Sequence, residues 1–342
     1  MDGTFWGGRR VLVTGHTGFK GAWLTLWLAS LGAEVTGLSA GVPTEPSLYA
    51  LAGIEADARA VEADVRDVQA VRRVIAEAAP EIVLHLAAQP FVRRSYEEPA
   101  ETWAVNVDGT INVLDAVRQA GVPVTVVVTS DKCYDNREQR RPFVESDPMG
   151  GHDPYSSSKG AAELAVDAWR RSYAIRVATA RAGNVIGGGD WGEDRLIPDI
   201  MRAVSAGTPI AIRRPDAVRP WQHVLEPLSG YLLLAERLWD EPAAAEGWNF
   251  GPDAAGAQPV SHIVERITAL WPEELAWEID PGPHPHEAGF LALDSTKARE
   301  RLGWAPRWDL DTALERIVEW HRGHRDGADL RALTLAQIEA HG

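Results

Sequence analysis

The stretch Val124-Thr125-Val126-Val127-Val128, followed at once by Thr129-Ser130-Asp131-Lys132-Cys133-Tyr134, decides how this chain is interpreted. Five consecutive β-branched residues have the length and composition of a strand that is buried on both faces. Polar and ionisable residues then replace the apolar ones, and open α/β sheets bind ligands at the carboxyl ends of their strands. The sequence therefore predicts a ligand site where this strand ends.

A second polar segment, Tyr155-Ser156-Ser157-Ser158-Lys159, opens an Ala-rich helical run over residues 160–171. Residues i and i+4 share a helix face, so the Tyr155 phenol and the Lys159 ammonium can share one site. Beside a nicotinamide, Lys159 would lower the pKa of Tyr155 from about 10 and make the phenolate a usable base, with Ser130 sharing the substrate proton. The alternative, a solvated pair on an ordinary helix, is disfavoured by the preceding strand end.

A glycine-rich turn near the amino terminus predicts a dinucleotide site. The strand at residues 9–14 runs into Gly15-His16-Thr17-Gly18-Phe19-Lys20-Gly21, and a helix (22–30) and a second strand (34–38) follow. Glycines permit a tight turn, and the helix amino terminus offers free amide groups to a pyrophosphate. Cofactor contacts are expected from Gly15, Thr17, Gly18, Phe19 and Gly21.

The adenosine end of this site departs from the usual pattern. Leu38-Ser39-Ala40-Gly41 lacks the carboxylate that usually holds the ribose, so Ser39 could supply one weaker hydrogen bond. NAD is the expected cofactor, although this position does not settle NAD against NADP. Asp64, in a third strand (60–65), can meet the adenine amino group or cap the helix at 68–79. Ala87, near the end of a fourth strand (81–89), would let the cofactor lie close.

Strands and helices alternate through the first half of the chain, which predicts an α/β fold with a Rossmann-type, doubly wound parallel sheet. The expected division is an NAD-binding domain over 1–184, to which the chain returns around 218–246. A smaller, mixed nucleotide-sugar-binding lobe is expected over 185–217 and 247–342. Asn106 lies inside a predicted helix (101–119), where asparagine is a poor residue, so it either has a side-chain role or faces solvent.

Composition narrows the class of protein. The net charge of −15 over 342 residues argues against nucleic acid or an anionic membrane as a partner. A single cysteine, Cys133, and the lack of any long apolar run lead us to expect a cytoplasmic protein. His284 and His286 lie in a Pro-rich segment without a third ligand at suitable spacing, so a turn is favoured and no metal is expected.

These motifs together resemble the extended short-chain dehydrogenase/reductase superfamily in its nucleotide-sugar-modifying branch. Within that branch, the turn at 15–21, the segments at 129–134 and 155–159, the segment Arg181-Ala182-Gly183-Asn184-Val185-Ile186-Gly187-Gly188-Gly189-Asp190-Trp191 and Arg219-Pro220-Trp221 resemble the 4,6-dehydratases that act on CDP-glucose. The resemblance extends to about Trp308. It implies a homodimer or homotetramer with an interface built on the helices that hold Asn106 and Tyr155.

The resemblance also implies a mechanism. Tyr155 removes the proton from the 4-hydroxyl of the sugar while hydride leaves carbon 4 for NAD; water then departs across carbons 5 and 6, and hydride returns to carbon 6. Asp131 takes the place of the acid for the departing hydroxyl. Lys132 stands where dTDP-glucose relatives have a glutamate base, so it is either a neutral base at carbon 5 or a charged stabiliser of the enolate.

By the same resemblance, Asn184 and Arg219 contact the substrate diphosphate or sugar, and Arg195 is a weaker candidate. Arg213 and Arg214 are expected to be solvated. Two alternatives remain within the scaffold, a nucleotide-sugar 4-epimerase and a 4,6-dehydratase for another nucleotide-glucose. A third, remote alternative is a non-catalytic regulator that senses the cofactor.

Overall fold

The computed structural model describes residues 3–282 and 287–342, so His284 and His286 lie outside the described residues. The strands are β1 Arg10–Thr14, β2 Glu34–Ser39, β3 Ala58–Glu62, β4 Ile82–His85, β5 Val124–Val128, β6 Val177–Arg181, β7 Val185–Ile186, β8 Ile210–Ile212, β9 Val218–Pro220, β10 Gln222–His223, β11 Gly247–Asn249, β12 Ala257–Pro259 and β13 Trp277–Ile279. The α-helices are α1 Gly3–Trp6, α2 Phe19–Ser30, α3 Leu48–Leu51, α4 Val68–Ala78, α5 Val92–Glu97, α6 Pro99–Trp103, α7 Gly109–Ala120, α8 Pro154–Tyr173, α9 Leu196–Ala206, α10 Leu225–Asp240, α11 Val260–Leu270, α12 Leu310–Arg325 and α13 Leu330–His341.

Seven parallel strands form the central sheet, in the order β3-β2-β1-β4-β5-β6-β11. The chain moves outward from β1 to β3 and then crosses back to β4, so the order reverses between β1 and β4. Doubly wound sheets bind their ligands at the carboxyl ends of the strands beside such a reversal. The predicted fold class is confirmed.

Helices cover both faces of this sheet, which explains why its central strands are apolar without interruption. In β5, Val126 packs into the large core that also contains Trp23 and Leu228, from α2 and α10. The next residue, Val127, faces the opposite side and packs with Val166 of α8. Successive side chains of a strand point to opposite faces, so only an unbroken apolar run can satisfy two helical layers.

The second lobe contains three two-stranded sheets, β7 with β10, β8 with β13 and β9 with β12. Its own apolar core includes Ile200 of α9, Ile212 of β8 and Ile263 of α11. Two parts of the segment 247–342 belong instead to the first domain. Strand β11 is the edge of the central sheet, and Ile338 of α13 joins the core that contains Trp27 of α2. The assignment of 247–342 as a whole to the lobe was therefore wrong.

The helix expected over residues 101–119 is interrupted. Helix α6 ends at Trp103, a π-helical turn covers Ala104–Asp108, and α7 begins at Gly109. This π-helical turn was not predicted from the sequence. Among the described residues, no helix is both long enough and apolar enough to cross a membrane.

Candidate active site

A cavity of about 660 Å³ lies where the central sheet meets the second lobe. All sixteen residues predicted from the sequence as catalytic, cofactor-binding or substrate-binding line it: Gly15, Thr17, Gly18, Phe19, Gly21, Ser39, Asp64, Ala87, Ser130, Asp131, Lys132, Tyr155, Lys159, Asn184, Arg195 and Arg219. They come from positions up to about two hundred residues apart in the chain. The fold brings them together because the carboxyl ends of parallel strands meet at one edge of the sheet.

The glycine-rich turn has the geometry that a dinucleotide requires. Gly18 precedes the first residue of α2 in an extended conformation, which leaves the first amide groups of the helix directed at the cavity. A Cβ atom at Gly21 would lie 2.0 Å from the carbonyl oxygen of Gly15, so only glycine lets the helix pack this closely on the turn. These residues fit a bound pyrophosphate.

Ser39 lies at the ribose position, but its hydroxyl is already engaged. Its Oγ accepts a hydrogen bond from the Thr17 amide at 3.3 Å and lies 2.8 Å from Nδ1 of His16. The His16 ring occupies the space beside Gly37, where a Cβ atom would lie 2.2 Å from it. Ser39 therefore stabilises the turn, whichever contact it also makes to a ligand.

Asp64 does not cap the following helix, so that alternative was wrong. Asp67 is the cap of α4, accepting hydrogen bonds from the amides of Gln69 and Ala70 at 3.0 and 3.1 Å. Asp64 instead accepts from the Arg66 guanidinium at 2.6 Å and lines the cavity. These hydrogen bonds from Arg66 hold the pKa of Asp64 below its usual value. The Asp64 carboxylate remains available as a ligand contact at the adenosine end of the cavity.

At the opposite end of the cavity, two local caps position the reactive side chains. Asp153 caps α8 by accepting a hydrogen bond from the Ser156 amide at 2.8 Å, which places Tyr155 in the first turn of the helix. Ser130 caps the 3-10 turn Asp131–Cys133, accepting from the Lys132 amide at 3.2 Å. Burial raises the pKa of Tyr155 to about 12, although its hydrogen bond with Ser130 lowers it. Desolvation of the phenolate therefore outweighs the attraction of the Arg195 guanidinium, and the lower pKa expected for Tyr155 from Lys159 beside a nicotinamide stays a prediction.

Asp131 is a buried carboxyl group with one oxygen free. Its Oδ1 accepts from the Ser130 hydroxyl at 2.9 Å, and its Oδ2 has no hydrogen-bond partner. Burial raises the pKa of Asp131, against the nearby charges of Lys132, Arg219 and Lys20. A carboxyl group in this environment favours its protonated form, as a general acid requires.

Gly183 provides the space for this carboxyl group. A Cβ atom at Gly183 would lie 1.7 Å from Oδ2 of Asp131, so no other residue fits there without displacing the acid. The sequence analysis did not single out Gly183, although it lies within the quoted segment at 181–191. A glycine two residues after the end of a buried strand is the signal that could have found it.

Lysine is rare in this chain and is concentrated at the cavity. Of 34 basic residues only four are lysines, and three of these four, Lys20, Lys132 and Lys159, line the cavity. Arginine stays charged in proteins, whereas lysine can lose its proton when buried. Burial lowers the pKa of Lys20 to about 7 and that of Lys159 to about 8, and it also lowers the pKa of Lys132. Lys20 was not predicted as a site residue from the sequence, and the scarcity of lysine is the signal that could have found it.

Arginines line the lobe side of the cavity, and carboxylates hold them. Arg219 is buried, with its guanidinium 3.7 Å from the Glu287 carboxylate. Arg195 donates to Asp190 at 3.0 Å and lies over the Phe91 ring. Two guanidinium groups in this arrangement match what a diphosphate requires.

Two further lobe-side residues refine the sequence analysis. Arg213 was expected to be solvated, but it is half-buried and donates to Asp194 at 3.0 Å. Asn184 has a positive φ of 39°, a left-handed conformation that asparagine tolerates better than most residues. Both line the cavity.

Asn106 has a side-chain role and does not face solvent. It lies in the π-helical turn, accepts a hydrogen bond from the Gln89 amide at 2.9 Å and donates to the Ser158 hydroxyl at 2.9 Å. Ser158 lies on α8 between Tyr155 and Lys159. Asn106 thus links the end of β4 to the helix that carries the predicted base. No group of three or more metal-ligating side chains occurs in the ranges 3–282 and 287–342.

The fold and this cavity are those of an enzyme that modifies nucleotide sugars. Residues 12–317 match the family described as GDP-mannose 4,6 dehydratase, and the chain belongs to that family. Among its relatives, the CDP-glucose 4,6-dehydratase of Salmonella typhimurium is 50% identical over 99% of this chain and 97% of its own length. A dTDP-glucose 4,6-dehydratase of Xanthomonas campestris is 29% identical over 91% of this chain and 92% of its own length. The predicted family is confirmed.

Solved structures show the same fold. A UDP-glucose 4-epimerase from Thermotoga maritima, in complex with UDP-glucose, has a TM-score of 0.81 at 24% identity and covers 92% of this chain and 99% of its own. A dTDP-glucose 4,6-dehydratase from Streptomyces venezuelae, with NAD bound, has a TM-score of 0.79 at 24% identity, covering 94% and 99%. Epimerase and dehydratase thus share one architecture, so the reaction must be argued from the site residues.

Proposed function

We propose that this chain is an NAD-dependent lyase that converts CDP-D-glucose to CDP-4-dehydro-6-deoxy-D-glucose and water. The observation that carries the proposal is the Asp131-Lys132 pair, which lies in one cavity with Tyr155 and Lys159. Burial shifts the pKa of both members of the pair toward their uncharged forms. An acid and a base for elimination are needed by a dehydratase and not by an epimerase. The 50% identical relative supports CDP-glucose as the substrate.

The residues at the amino-terminal end of α2 fit NAD. Gly15, Gly18 and Gly21 leave room for a pyrophosphate beside the free amide groups of the helix. Asp64 and Ala87 would bound the adenosine end. When bound, NAD supplies a hydride acceptor for carbon 4 and a hydride donor for carbon 6, so it is regenerated in each turnover.

Tyr155 is the base for the 4-hydroxyl of the sugar, and Ser130 shares its proton through the Tyr155–Ser130 hydrogen bond. The Lys159 ammonium stabilises the phenolate, because opposite charges in a buried site attract strongly. Lys159 itself holds its proton below about pH 8. Tyr155 therefore acts as a base, despite its raised pKa, only while Lys159 is charged.

Elimination requires a proton at the departing 6-hydroxyl and a base at carbon 5. Protonated Asp131 donates from its unpartnered Oδ2, which is the oxygen without a hydrogen bond in the protein. Neutral Lys132 accepts the carbon 5 proton, and nearby Arg219 lowers the pKa of Lys132 further. The positive charge gained by Lys132 then lies beside the carboxylate left on Asp131, so the two charges form and disappear together.

The lobe holds the nucleotide sugar by its phosphates. Arg219 and Arg195 supply charged donors for the diphosphate, and Asn184 supplies an amide between them and the sugar. Their present partners, Glu287 and Asp190, keep the guanidinium groups in place before substrate arrives. Binding then needs little rearrangement of these side chains.

One assay distinguishes the candidate reactions. The purified protein is incubated separately with CDP-, dTDP- and UDP-glucose without added cofactor. A 4-keto-6-deoxy sugar from CDP-glucose is the expected product, formed fastest with that substrate. Inversion at carbon 4 alone would establish the epimerase, a preference for another base would reassign the substrate, and no turnover after addition of NAD would support the regulator.

Lys132→Ala tests the role of Lys132 as base. With CDP-glucose in deuterated water, the parent protein should incorporate solvent deuterium at carbon 5, and the variant should lose both turnover and incorporation. A variant that keeps full turnover and incorporation would remove Lys132 from this role. Lys297→Ala is the matched control, because Lys297 is the one lysine outside the cavity lining and pairs with Glu246.

The exposed faces of two helices support a homodimer or homotetramer. Trp103 of α6 is 42% exposed, and Leu164 and Tyr173 of α8 are 51% exposed or more. Helices α6 and α8 pack against each other, and exposed apolar side chains on neighbouring helices can form an association site. Light scattering at micromolar concentration should give at least twice the monomer mass, and Leu164→Glu should reduce it.

A cytoplasmic location, supported by the single buried thiol of Cys133, is tested by fractionating cells.

A further inference from the structure

A buried ion pair lies behind the Tyr155–Lys159 site, outside the cavity lining. Glu163 follows Lys159 by one helical turn on α8, and Arg181 is the last residue of β6. Arg181 binds the Glu163 carboxylate through two nitrogens, Nε to Oε1 at 2.9 Å and Nη2 to Oε2 at 2.7 Å. Both side chains are buried, 4% exposed for Glu163 and 7% for Arg181.

The carboxylate of Glu163 is saturated with donors. Besides the two bonds from Arg181, Oε1 accepts from the Thr129 hydroxyl at 2.5 Å and Oε2 from the Thr179 hydroxyl at 2.8 Å. A carboxylate has about four acceptor positions, and all are used here. A buried charge is tolerated only when it is paired and hydrogen-bonded in this way.

The partners of this pair belong to the segments that carry the site. Thr129 directly precedes Ser130 and Asp131, while Arg181 directly precedes the segment with Gly183 and Asn184. Arg181 also donates through Nη1 to the Tyr134 hydroxyl at 2.8 Å, and Tyr134 donates to Asn249 of β11 at 2.6 Å. One network therefore joins α8, β5, β6 and β11.

We propose that Glu163 and Arg181 are positioning residues for the reaction. The pair fixes the distance between helix α8 and the ends of β5 and β6, so that Tyr155 and Lys159 meet Ser130 and Asp131. In addition, the negative charge of Glu163 keeps Lys159 protonated. The proposal rests on the assigned roles of Tyr155 and Lys159.

Among the described groups that act on Lys159, Glu163 is the one carboxylate. On the same helix, the Tyr155 phenol is uncharged before the reaction, because burial raises its pKa. From the other elements, Lys159 is faced by Lys20 of α2, His85 of β4 and Cys133 of the 3-10 turn. Burial keeps the imidazole and the thiol uncharged, since it lowers the pKa of His85 to about 3 and raises that of Cys133 well above its usual value. Lys20 is a like charge, so removal of the Glu163 charge leaves Lys159 with only positive or neutral neighbours.

Two substitutions of Glu163 separate shape from charge. Glu163→Gln keeps the size of the side chain and removes the charge, leaving the Arg181 guanidinium uncompensated. Glu163→Asp keeps the charge and shortens the side chain. For each purified protein, kcat and KM for CDP-glucose are measured across pH, with stability followed by thermal unfolding.

Glu163→Gln should lower the pH above which kcat declines by about one unit, because Lys159 then loses its proton more easily. Glu163→Asp should leave that pH unchanged and lower kcat by up to about a hundredfold through misplacement of Tyr155. KM should change by less than about threefold in both variants, since Glu163 does not line the cavity. A purely structural role would lower stability without moving the pH profile.

Glu226→Gln is the matched control, because Glu226 is also a buried carboxylate, accepts hydrogen bonds from the amides of Arg307 and Trp308, and does not line the cavity. It should lose stability and keep the pH profile of the parent. The proposal is overturned if Glu163→Gln leaves the pH profile in place, or if Glu163→Asp keeps parental kcat.

Should neither Glu163 variant fold, Thr179→Val decides the positioning role, because Thr179 donates to Glu163 and does not line the cavity. It removes one donor to Glu163 and leaves the ion pair intact, so a fall in kcat at unchanged KM supports the proposal and parental kcat overturns it. Failure of the proposed function looks different, since the parent protein itself would then form no keto-sugar.

Discussion

The two walls of the cavity use charge in opposite ways. On the sheet side, Lys20, Asp131, Lys132 and Lys159 form no ion pair with another described residue. On the lobe side, Arg195, Arg213 and Arg219 each face a carboxylate, at 3.0, 3.0 and 3.7 Å. Burial of an unpaired group favours its neutral form, whereas a paired arginine keeps its charge.

Because of this difference, the sheet side of the cavity is suited to proton transfer and the lobe side to substrate binding. Groups whose charged and neutral forms are close in free energy can exchange protons near neutral pH, as catalysis of an elimination requires. Arginines that remain charged can hold phosphates without taking part in the chemistry. Substitutions on the sheet side should therefore change kcat, and those on the lobe side should change KM.

The largest effect is expected for Tyr155→Phe. Loss of the base should lower kcat for keto-sugar formation by about a hundredfold to ten-thousandfold, with KM little changed. Tyr96→Phe, at an exposed tyrosine of α5 outside the cavity lining, is the control and should behave as the parent. A Tyr155→Phe protein with parental kcat would end the proposed mechanism.

Asp131→Asn should separate the early and late steps. The amide cannot protonate the departing hydroxyl, so formation of the deoxy product should fall by about a hundredfold or more. Deprotonation at carbon 5 stays possible, and CDP-glucose recovered from deuterated water should therefore contain deuterium. If the recovered substrate contains no deuterium and product still forms, Asp131 is not the acid.

Arg219→Met should act mainly on binding. Loss of a charged hydrogen bond to phosphate corresponds to about 1.5–3 kcal/mol, so KM for CDP-glucose should rise by about tenfold or more. The control is Arg266→Met, which removes an arginine that pairs with Asp311 on the surface. A fall in kcat at unchanged KM would place Arg219 with the sheet-side groups and weaken the contrast between the walls.

The smallest effect is a gain in stability from Lys20→Met. Burial lowers the folded-state pKa of Lys20 to about 7, so between pH 7 and its unfolded value of 10.5 the unfolded chain binds more protons. The destabilisation by Lys20 is therefore full below pH 7 and fades as pH rises. Lys20→Met should raise Tm by at least about 2 °C at pH 7, and the gain should shrink by pH 9.

Thermal unfolding at several pH values checks this prediction, with Lys297→Met as the control. Lys297 pairs with Glu246 and lies over the Trp248 ring, so its removal should not raise Tm. A gain for Lys20→Met that stays constant with pH would show that the change acts through packing and not through the buried charge.

The sequence predicted most of the central sheet because its signals are local. The apolar run of β5, the glycine turn after β1 and the spacing of Tyr155 and Lys159 each lie within a few residues, and the structure has all three in the expected elements. The errors fell where the determining contact is remote, as for strand β11 and for the π-helical turn that holds Asn106.

What the sequence by itself determined is the set of chemical groups and the edge of the sheet at which they meet, because strand ends and helix starts follow from local pattern. Only the tertiary structure decided which groups are charged. The raised pKa of Tyr155, the lowered pKa values of the lysines, the space that Gly183 leaves for Asp131 and the saturation of Glu163 all depend on burial. Burial is set by elements far apart in the chain, and it is desolvation that converts ordinary side chains into acids and bases near neutral pH.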